Sequence, residues 1–341
     1  MILARDKHIV LWLSSVATLI VIMIVVGGLT RLTESGLSMV DWKIIGGLLP
    51  PLSNASWIEL FENYKLYPEF KIKNSNMDLN EFKYIFWWEY GHRVLGRLIG
   101  IVFLVPFVYF VFKKYFSKKE LVVFFLLFFL GLSQGLIGWW MVKSGLVENP
   151  YVDHLRLAIH LFMAQSILVI ISFIILKKLY PSAYKFTSNR RNLKYQFLIL
   201  LLVTIVTIWY GAFMAGLDAG KSFNSWPLMG GQVIPENLFL DNFYENILHN
   251  SVFIHFTHRM LAYLLFFYFI YLFILSKKLI NSYFEKFHIN LILVLVIIQI
   301  ALGILTVIYN VPILFGSLHQ LNGTLLLVAI ATFVFSHFQK N

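Results

Sequence analysis

Four histidines occur as two pairs whose spacing repeats along the chain. His92 and His160 form the first pair, and His258 and His319 form the second. Each lies inside a long apolar segment, where an ionisable side chain is costly and is by default a candidate for function. Two neutral imidazoles from two helices at the same depth can hold one haem iron between them. The sequence therefore predicts two haem-sized pockets, one for each pair.

The alternative for any one of these histidines is a hydrogen bond between helices that serves packing alone. Four histidines at matched positions favour ligation over packing. Five others fall at segment edges or in connections, where we expect solvated or interfacial rings without a role. These five are His8, His154, His249, His288 and His337.

The stretch EYGHRVLGR (residues 89–97) adds charged groups to the first pocket. Glu89 precedes His92 by one helical turn on the same face, where a partly desolvated carboxylate can exchange protons. Its alternative is a salt bridge with Arg93 or Arg97. Arg93 and its counterpart Arg259 are predicted to meet haem propionates, and snorkelling to lipid headgroups is the equal alternative for both.

The two halves differ at the positions that matter for chemistry. Glu89 aligns with His255, and Arg31 aligns with Ala215. Only the first half therefore has a carboxylate one turn from its histidine. This asymmetry predicts one pocket for chemistry and one for electron transfer.

Composition identifies the elements that hold these residues as membrane spans. Of 341 residues, 59% are hydrophobic and 13% charged, and the mean hydropathy is +0.75. A soluble domain cannot bury that much apolar surface. Eight apolar segments are long enough to cross a bilayer as helices: 9–29, 84–112, 119–141, 152–176, 195–216, 250–276, 287–309 and 313–338.

An internal repeat organises these spans. A shift of 184 residues superimposes six residues of the loop after span 1 on identical ones after span 5, and shifts of 159 to 166 align the histidines. We expect two tandem four-helix bundles, residues 1–190 and 191–341, related by a pseudo-two-fold axis along the membrane normal. The matched loop residues are Gly27, Gly36, Trp42, Gly46, Gly47 and Pro51, and further matches are Gln134 with Gln299 and Gly138 with Gly303.

The first half carries a longer outer loop, residues 30–83. Within it SWIELFENYKLYPEF (residues 56–70) has apolar residues on one helical face, which predicts a short helix on the membrane surface. Asp78 with Glu81 forms a capping-box pattern, which predicts the start of a helix that continues into span 2.

Charge predicts the orientation. The N-terminus, the connections 113–120, 177–194 and 277–286 and the C-terminus hold 16 of the 28 Lys and Arg residues but 3 of the 17 Asp and Glu. The positive-inside rule therefore places both termini in the cytoplasm and the haem sites toward the outer side. The basic runs follow topology, so no nucleic-acid partner is expected. The chain has no cysteine, which excludes disulfides and thiolate ligands.

Four motifs together resemble the haem A synthases of the cytochrome oxidase assembly pathway. They are GGLTRLTESGLSM, EFKYIFWWEYGHRVLGRLIG, HFTHRMLAY and SLHQLNG. The resemblance covers essentially the whole chain and implies an enzyme that oxidises a ring methyl group of haem O to a formyl group. It implies haem b on His258 and His319, and substrate haem O handled by Glu89, His92 and His160. Some members have a cysteine pair in the outer loops, which this chain lacks.

The resemblance also implies a multi-pass protein of the bacterial plasma (inner) membrane. Haem O synthase, an electron donor and a homo-oligomer are candidate partners beside the lipid bilayer. Three other functions stay open on the residues alone. They are a di-haem b electron-transfer protein without catalysis, a non-haem iron oxygenase using Glu89, His92 and His160, and a haem transporter.

Overall fold

The structure is a computed structural model that describes residues 4–40, 49–147, 149–180 and 191–338. Its helices are α1 (Ala4–Leu32), α2 (Asn54–Lys65), α3 (Pro68–Ile72), α4 (Leu79–Phe112), α5 (Lys118–Ser144), α6 (His154–Leu179), α7 (Arg191–Gly216), α8 (Phe243–Leu248), α9 (Ser251–Leu279), α10 (Tyr283–Ile308) and α11 (Ile313–Phe338). Among the described residues, eight helices are long and apolar enough to cross a membrane: α1, α4 to α7 and α9 to α11. The prediction of an all-α, eight-span membrane protein is confirmed.

Helix α4 begins as its sequence pattern predicts. Oδ1 of Asp78 accepts hydrogen bonds from the backbone N–H groups of Asn80 (2.7 Å) and Glu81 (2.9 Å). The Glu81 carboxylate accepts in return from the backbone N–H of Asp78 (3.0 Å). This reciprocal cap satisfies N–H groups at the helix start that have no partner within the helix. The helix then runs without interruption through the stretch that carries Glu89 and His92.

The predicted surface helix over residues 56–70 is two helices, α2 and α3. Tyr67 is extended (φ −94°, ψ 158°) because a residue before proline is disfavoured in the helical region. Pro68 then starts α3, where its missing N–H costs nothing. The apolar face of α2 packs against the first turns of α4 in a cluster of buried residues that comprises Trp57, Phe61, Tyr64, Phe82, Ile85 and Phe86.

The chain divides into two compact units, which we call the N-terminal unit (residues 15–164) and the C-terminal unit (residues 1–14 with 165–341). In the N-terminal unit α4 packs against α5. In the C-terminal unit α7 packs along α9, and α10 packs along α11. The predicted boundary at residue 190 and the predicted symmetry axis stay predictions.

Some of the predicted features lie outside the described residues. They are the repeat positions Trp42, Gly46 and Gly47 and residues 181–190 of the basic connection. The remaining repeat positions, including Gly27, Gly36 and Pro51, are described.

Candidate haem-binding site

The second histidine pair comes together in the C-terminal unit. His258 on α9 and His319 on α11 have ring centroids 6.4 Å apart, with the planes inclined at 73°. Two imidazoles bound at about 2 Å on opposite faces of one iron place their centroids roughly 6 Å apart. The separation therefore fits a haem iron held between these two rings.

A backbone carbonyl fixes the orientation of the His258 ring. Nδ1 of His258 lies 3.0 Å from the carbonyl oxygen of Thr207 on α7. A carbonyl only accepts, so Nδ1 must carry the hydrogen, and Nε2 keeps its lone pair for a metal. Such a hydrogen bond on the far nitrogen is the usual support of a ligating histidine.

Each of the four histidines packs against a glycine of a neighbouring span. A Cβ atom placed at Gly211 or Gly303 would lie 3.0 Å from Cε1 of His258 or His319, respectively. In the N-terminal unit the corresponding contacts are 3.3 Å from Gly27 to Nε2 of His92 and 3.2 Å from Gly138 to Cε1 of His160. Gly27 and Gly211 are repeat-related, as are Gly138 and Gly303. These glycines leave room for the imidazoles against the bare helix backbone.

A glutamine accompanies the second histidine of each pair. Nε2 of Gln134 donates to the backbone carbonyl of His160 (3.2 Å), and Nε2 of Gln299 donates to that of His319 (3.2 Å). The repeat therefore reproduces this contact as well as the residue types. Nδ1 of His160 is buried, and no group of the residues that the structure describes hydrogen-bonds it. A buried polar atom without a partner carries a desolvation penalty, which a ligand could relieve.

Glu89 is buried, with 3% of its surface exposed. Its Oε2 accepts from the hydroxyl of Ser38 (2.7 Å) and the backbone N–H of Met39 (2.8 Å). Its Oε1 accepts from Nη2 of Arg93 (2.5 Å). The salt bridge with Arg93, the alternative to a purely catalytic carboxylate, is therefore present. The carboxylate also ties α4 to the segment that follows α1.

Arg93 and Arg259 hold the loops at corresponding positions of the repeat. Nη2 of Arg93 donates to the carbonyl of Met39 (3.0 Å). Nη2 of Arg259 donates to the carbonyl of Phe223 (3.3 Å), the residue that a shift of 184 places on Met39. Nε of Arg259 also donates to Nε2 of His255 (3.0 Å), the counterpart of Glu89. In both halves an arginine thus joins the loop after the first span to a polar residue one turn earlier on its own helix.

The set Glu89, His92 and His160 is not assembled as a metal site. Within the described ranges no three His, Cys, Asp or Glu side chains converge to hold a metal ion. Instead, the Glu89 oxygens bond Ser38, Met39 and Arg93. The geometry gives the non-haem iron alternative no support.

Comparison with known proteins identifies the family. The family model described as "Cytochrome oxidase assembly protein" (COX15-CtaA) matches residues 10–331. The chain belongs to this family. The matched range includes both histidine pairs, Glu89 and both arginines.

Curated relatives are similar over nearly the full length. A protein named Heme A synthase from Flavobacterium psychrophilum is 40% identical over 98% of this chain and 99% of its own length. Relatives of the same name from Azorhizobium caulinodans and Pelagibacter ubique are each 43% identical. The alignment with the Azorhizobium caulinodans relative covers 96% of this chain and 93% of that protein. The alignment with the Pelagibacter ubique relative covers 94% of each chain.

The expectation for the five remaining histidines is wrong for three of them. His8 and His249 are exposed as expected, but His154, His288 and His337 are buried. Nε2 of His288 lies 2.9 Å from the carbonyl oxygen of Ala329, and Nδ1 of His337 bonds the carbonyl of Phe333. For His288 and His337, position near a segment end did not predict exposure, because α10 and α11 pack together.

Sequence reasoning missed several groups that position the site. Thr207 contributes only a backbone carbonyl, which no side-chain pattern reveals. Ser38 lies within the motif GGLTRLTESGLSM and could have been selected as a candidate from the sequence. Its hydrogen bond to Glu89 on α4 depends on the fold. Gly138 and Gly303 were recognised as repeat-related, yet their contact with a histidine ring required the structure.

Proposed function

We propose that this chain is a haem A synthase, oxidising a methyl group on the porphyrin ring of haem O to a formyl group. The near full-length similarity to relatives named Heme A synthase supports this function. The structural observation that supports this function most directly is the pairing of His258 and His319. Their ring centroids are 6.4 Å apart, a separation that fits a haem iron bound between the two rings. Two histidine pairs with different neighbours then provide two different haem sites.

The C-terminal unit is proposed to hold haem b between His258 and His319. Bound there, haem b supplies one-electron transfer at an iron with two imidazole ligands. Thr207 keeps the His258 ring in the tautomer that presents Nε2. Gly211 and Gly303 keep both rings close to the neighbouring helices. These residues bind and orient the cofactor, and its apolar surroundings exclude water.

The N-terminal unit is proposed to hold the substrate haem O at His92 and His160. The packing of the His92 and His160 rings against Gly27 and Gly138 supports this placement, because the repeat-related Gly211 and Gly303 flank the second pair in the same way. Glu89 is proposed to move protons during oxidation of the methyl group. A carboxylate offers about four acceptor positions, and three hydrogen bonds to Glu89 leave one of them for a proton.

Arg93 and Arg259 are proposed to shape the haem pockets through the loops that they hold. Both guanidinium groups already donate to protein carbonyls. Contact with haem propionates, predicted from their place beside the histidines, would need these donors to be shared or exchanged. Their role is to fix the loop that follows the first span of each half to the helix that carries the neighbouring histidine.

The membrane and orientation of the protein are also proposals. The charge distribution supports a bacterial plasma membrane protein with both termini in the cytoplasm and the haem sites toward the outer side. Reporter fusions at the C-terminus and within residues 177–194 should read as cytoplasmic, and fusions near residues 70 and 235 as external. The opposite pattern would contradict the orientation. An electron donor, haem O synthase and a second copy of the chain are candidate partners.

Haem extraction from the purified full-length protein separates this function from an electron-transfer protein. We expect haem b together with haem O or haem A from the wild type. His258→Ala and His319→Ala should each lose the low-spin haem b spectrum. His288→Ala is the matched control, because His288 is a buried histidine of the same unit outside the pair. Haem b alone in the wild type, or an unchanged spectrum in either ligand variant, would contradict the proposal.

A further inference from the structure

A cavity of about 400 Å³ opens between the end of α5 and the start of α6 in the N-terminal unit. It carries two basic side chains and a tryptophan. Its lining residues are Trp140, Lys143, Ser144, Val147, Asn149 and Arg156. Neither the histidine pairs nor Glu89 line this cavity.

The protein holds Arg156 in a fixed place on this cavity. Its Nη1 donates to the backbone carbonyl of Trp140 (2.8 Å), and its guanidinium lies 4.5 Å from the centre of the Trp140 ring. The nearby Lys143 places Nζ 5.2 Å from the Trp139 ring. Hydrogen bonding and cation–π contact restrain the guanidinium, so less entropy is lost when it binds an anion.

The cavity lies on the face of α6 that also carries His160. Arg156 precedes His160 by four residues, so the two side chains share a helix face about 6 Å apart along the axis. Both face α5, since Arg156 bonds Trp140 and the His160 ring contacts Gly138. Arg156 thus lies one turn from a proposed substrate ligand, toward the N-terminal end of α6.

In the sequence repeat, the positions of the C-terminal half that correspond to Lys143 and Arg156 are apolar. The shift that aligns Gln134 with Gln299 places Ile308 opposite Lys143, and the shift that aligns His160 with His319 places Phe315 opposite Arg156. The basic cavity is therefore a property of the half that is proposed to take the substrate. A general role in anchoring helix ends to lipid headgroups would not require this difference between the halves.

We propose that Lys143 and Arg156 bind the propionate carboxylates of the substrate porphyrin while His160 faces its iron. This inference rests on the proposed function and adds the residues that orient the substrate. A guanidinium can bind one carboxylate through two parallel hydrogen bonds, and an ammonium adds a second positive charge. The porphyrin then enters with its propionates at the cavity and its macrocycle between the helices.

Porphyrin titration of the purified holoprotein, with haem b in the C-terminal unit, tests this assignment. The ligands are iron protoporphyrin IX and its dimethyl ester, which lacks the carboxylate charges. The double variant Lys143→Gln/Arg156→Gln should bind the free diacid about tenfold or more weakly than the wild type. The ester should bind both proteins alike. Lys83→Gln is the matched control, because Lys83 also lies over a tryptophan, with Nζ 5.4 Å from the Trp57 ring.

Three other outcomes would contradict the inference. Equal diacid affinity in wild type and double variant, or equal losses for diacid and ester, removes the propionate site and leaves the proposed function intact. Loss of a co-purified anionic phospholipid at unchanged porphyrin affinity assigns the cavity to lipid. A wild type that binds no second porphyrin contradicts both the proposed function and this inference. An unchanged haem b spectrum shows that the double variant is folded.

Discussion

The carboxylate of Glu89 accepts a hydrogen bond of 2.5 Å from the guanidinium of Arg93, one turn further along α4. In the C-terminal unit Arg259 donates to His255 in the same relation. Both arginines also hold the loop that follows the first span of their half. The two halves therefore share the same arrangement of arginine, loop and polar residue. Only in the N-terminal half is that polar residue a carboxylate. This difference is the basis for assigning chemistry to the N-terminal half.

The first prediction separates the chemistry of Glu89 from its loop contacts. Glu89→Gln removes the charge and the proton-accepting capacity. Both oxygens of Glu89 accept hydrogen bonds, so the NH₂ group that replaces one of them must face a hydrogen-bond donor. We expect a folded protein that keeps haem b, makes little haem A and accumulates haem O. His255→Ala should impair haem A formation less. The measurement is the ratio of haem A to haem O after extraction.

Ser38→Ala is the matched control for that variant. It removes one hydrogen bond to Glu89, about 1.5–3 kcal/mol because the acceptor is charged, and leaves the carboxylate in place. We expect it to retain most haem A formation. If Ser38→Ala loses as much haem A as Glu89→Gln, the carboxylate acts by holding the loop and not by moving protons.

The second prediction concerns the glycines beside the histidines. Gly303→Ala places a Cβ atom 3.0 Å from the His319 ring, so the ring must shift and the haem b spectrum should change. Gly138→Ala should lower haem A formation and leave haem b intact, because its contact is His160. Gly131→Ala on the helix of Gly138 is the control, since a Cβ atom there meets no atom of the described part of the chain within 4 Å. Gly138→Ala with wild-type haem A formation would remove this glycine from the substrate site.

The third prediction concerns Glu69, which lies in the segment between the first two spans. Burial is the main cause that raises the pKa of Glu69 from its ordinary value of 4.5 to about 7, although the hydrogen bond from Tyr64 opposes the rise. Burial also raises the pKa of Tyr64. The folded state therefore favours protonated Glu69. Its contribution to stability is full below pH 4.5 and is lost as the pH rises toward 7.

Hydrogen exchange of residues 54–78 tests this directly. Protection in the wild type should fall between pH 4.5 and 7 after correction for the intrinsic exchange rate, and Glu69→Gln should flatten that dependence. The other charged groups near Glu69, namely Lys73, Glu34 and Glu89, are retained in the variant. An equal pH dependence in both proteins would assign the effect to another group.

Local patterns predicted much of the fold, because each has a local physical cause. Apolar length gave the spans, and the Asp78 and Glu81 pattern gave the start of α4. The break at Pro68 was missed, because the apolar face was read as one helix over residues 56–70 without the restraint that proline places on the residue before it. The repeat led to the histidine pairs and to the matched glycines Gly138 and Gly303, although only the structure shows that these glycines contact histidine rings.

The remaining features depend on contacts between distant segments. The bonds from Ser38 and Met39 to Glu89 join residues about fifty positions apart, and neither partner indicates the other. Burial of His288 and His337 depends on the packing of α10 with α11. The cavity at Arg156 needs the end of α5 as well as the start of α6.

Co-expression of this chain with a source of haem O in cells that make no haem A tests the central claim most directly. Extraction and chromatography of the total haem should show haem A with the wild-type chain and haem O without it. The Glu89→Gln chain, present at equal level and with its haem b intact, should leave haem O largely unconverted. Haem O as the only farnesylated haem beside a folded wild-type protein that contains haem b would contradict the account.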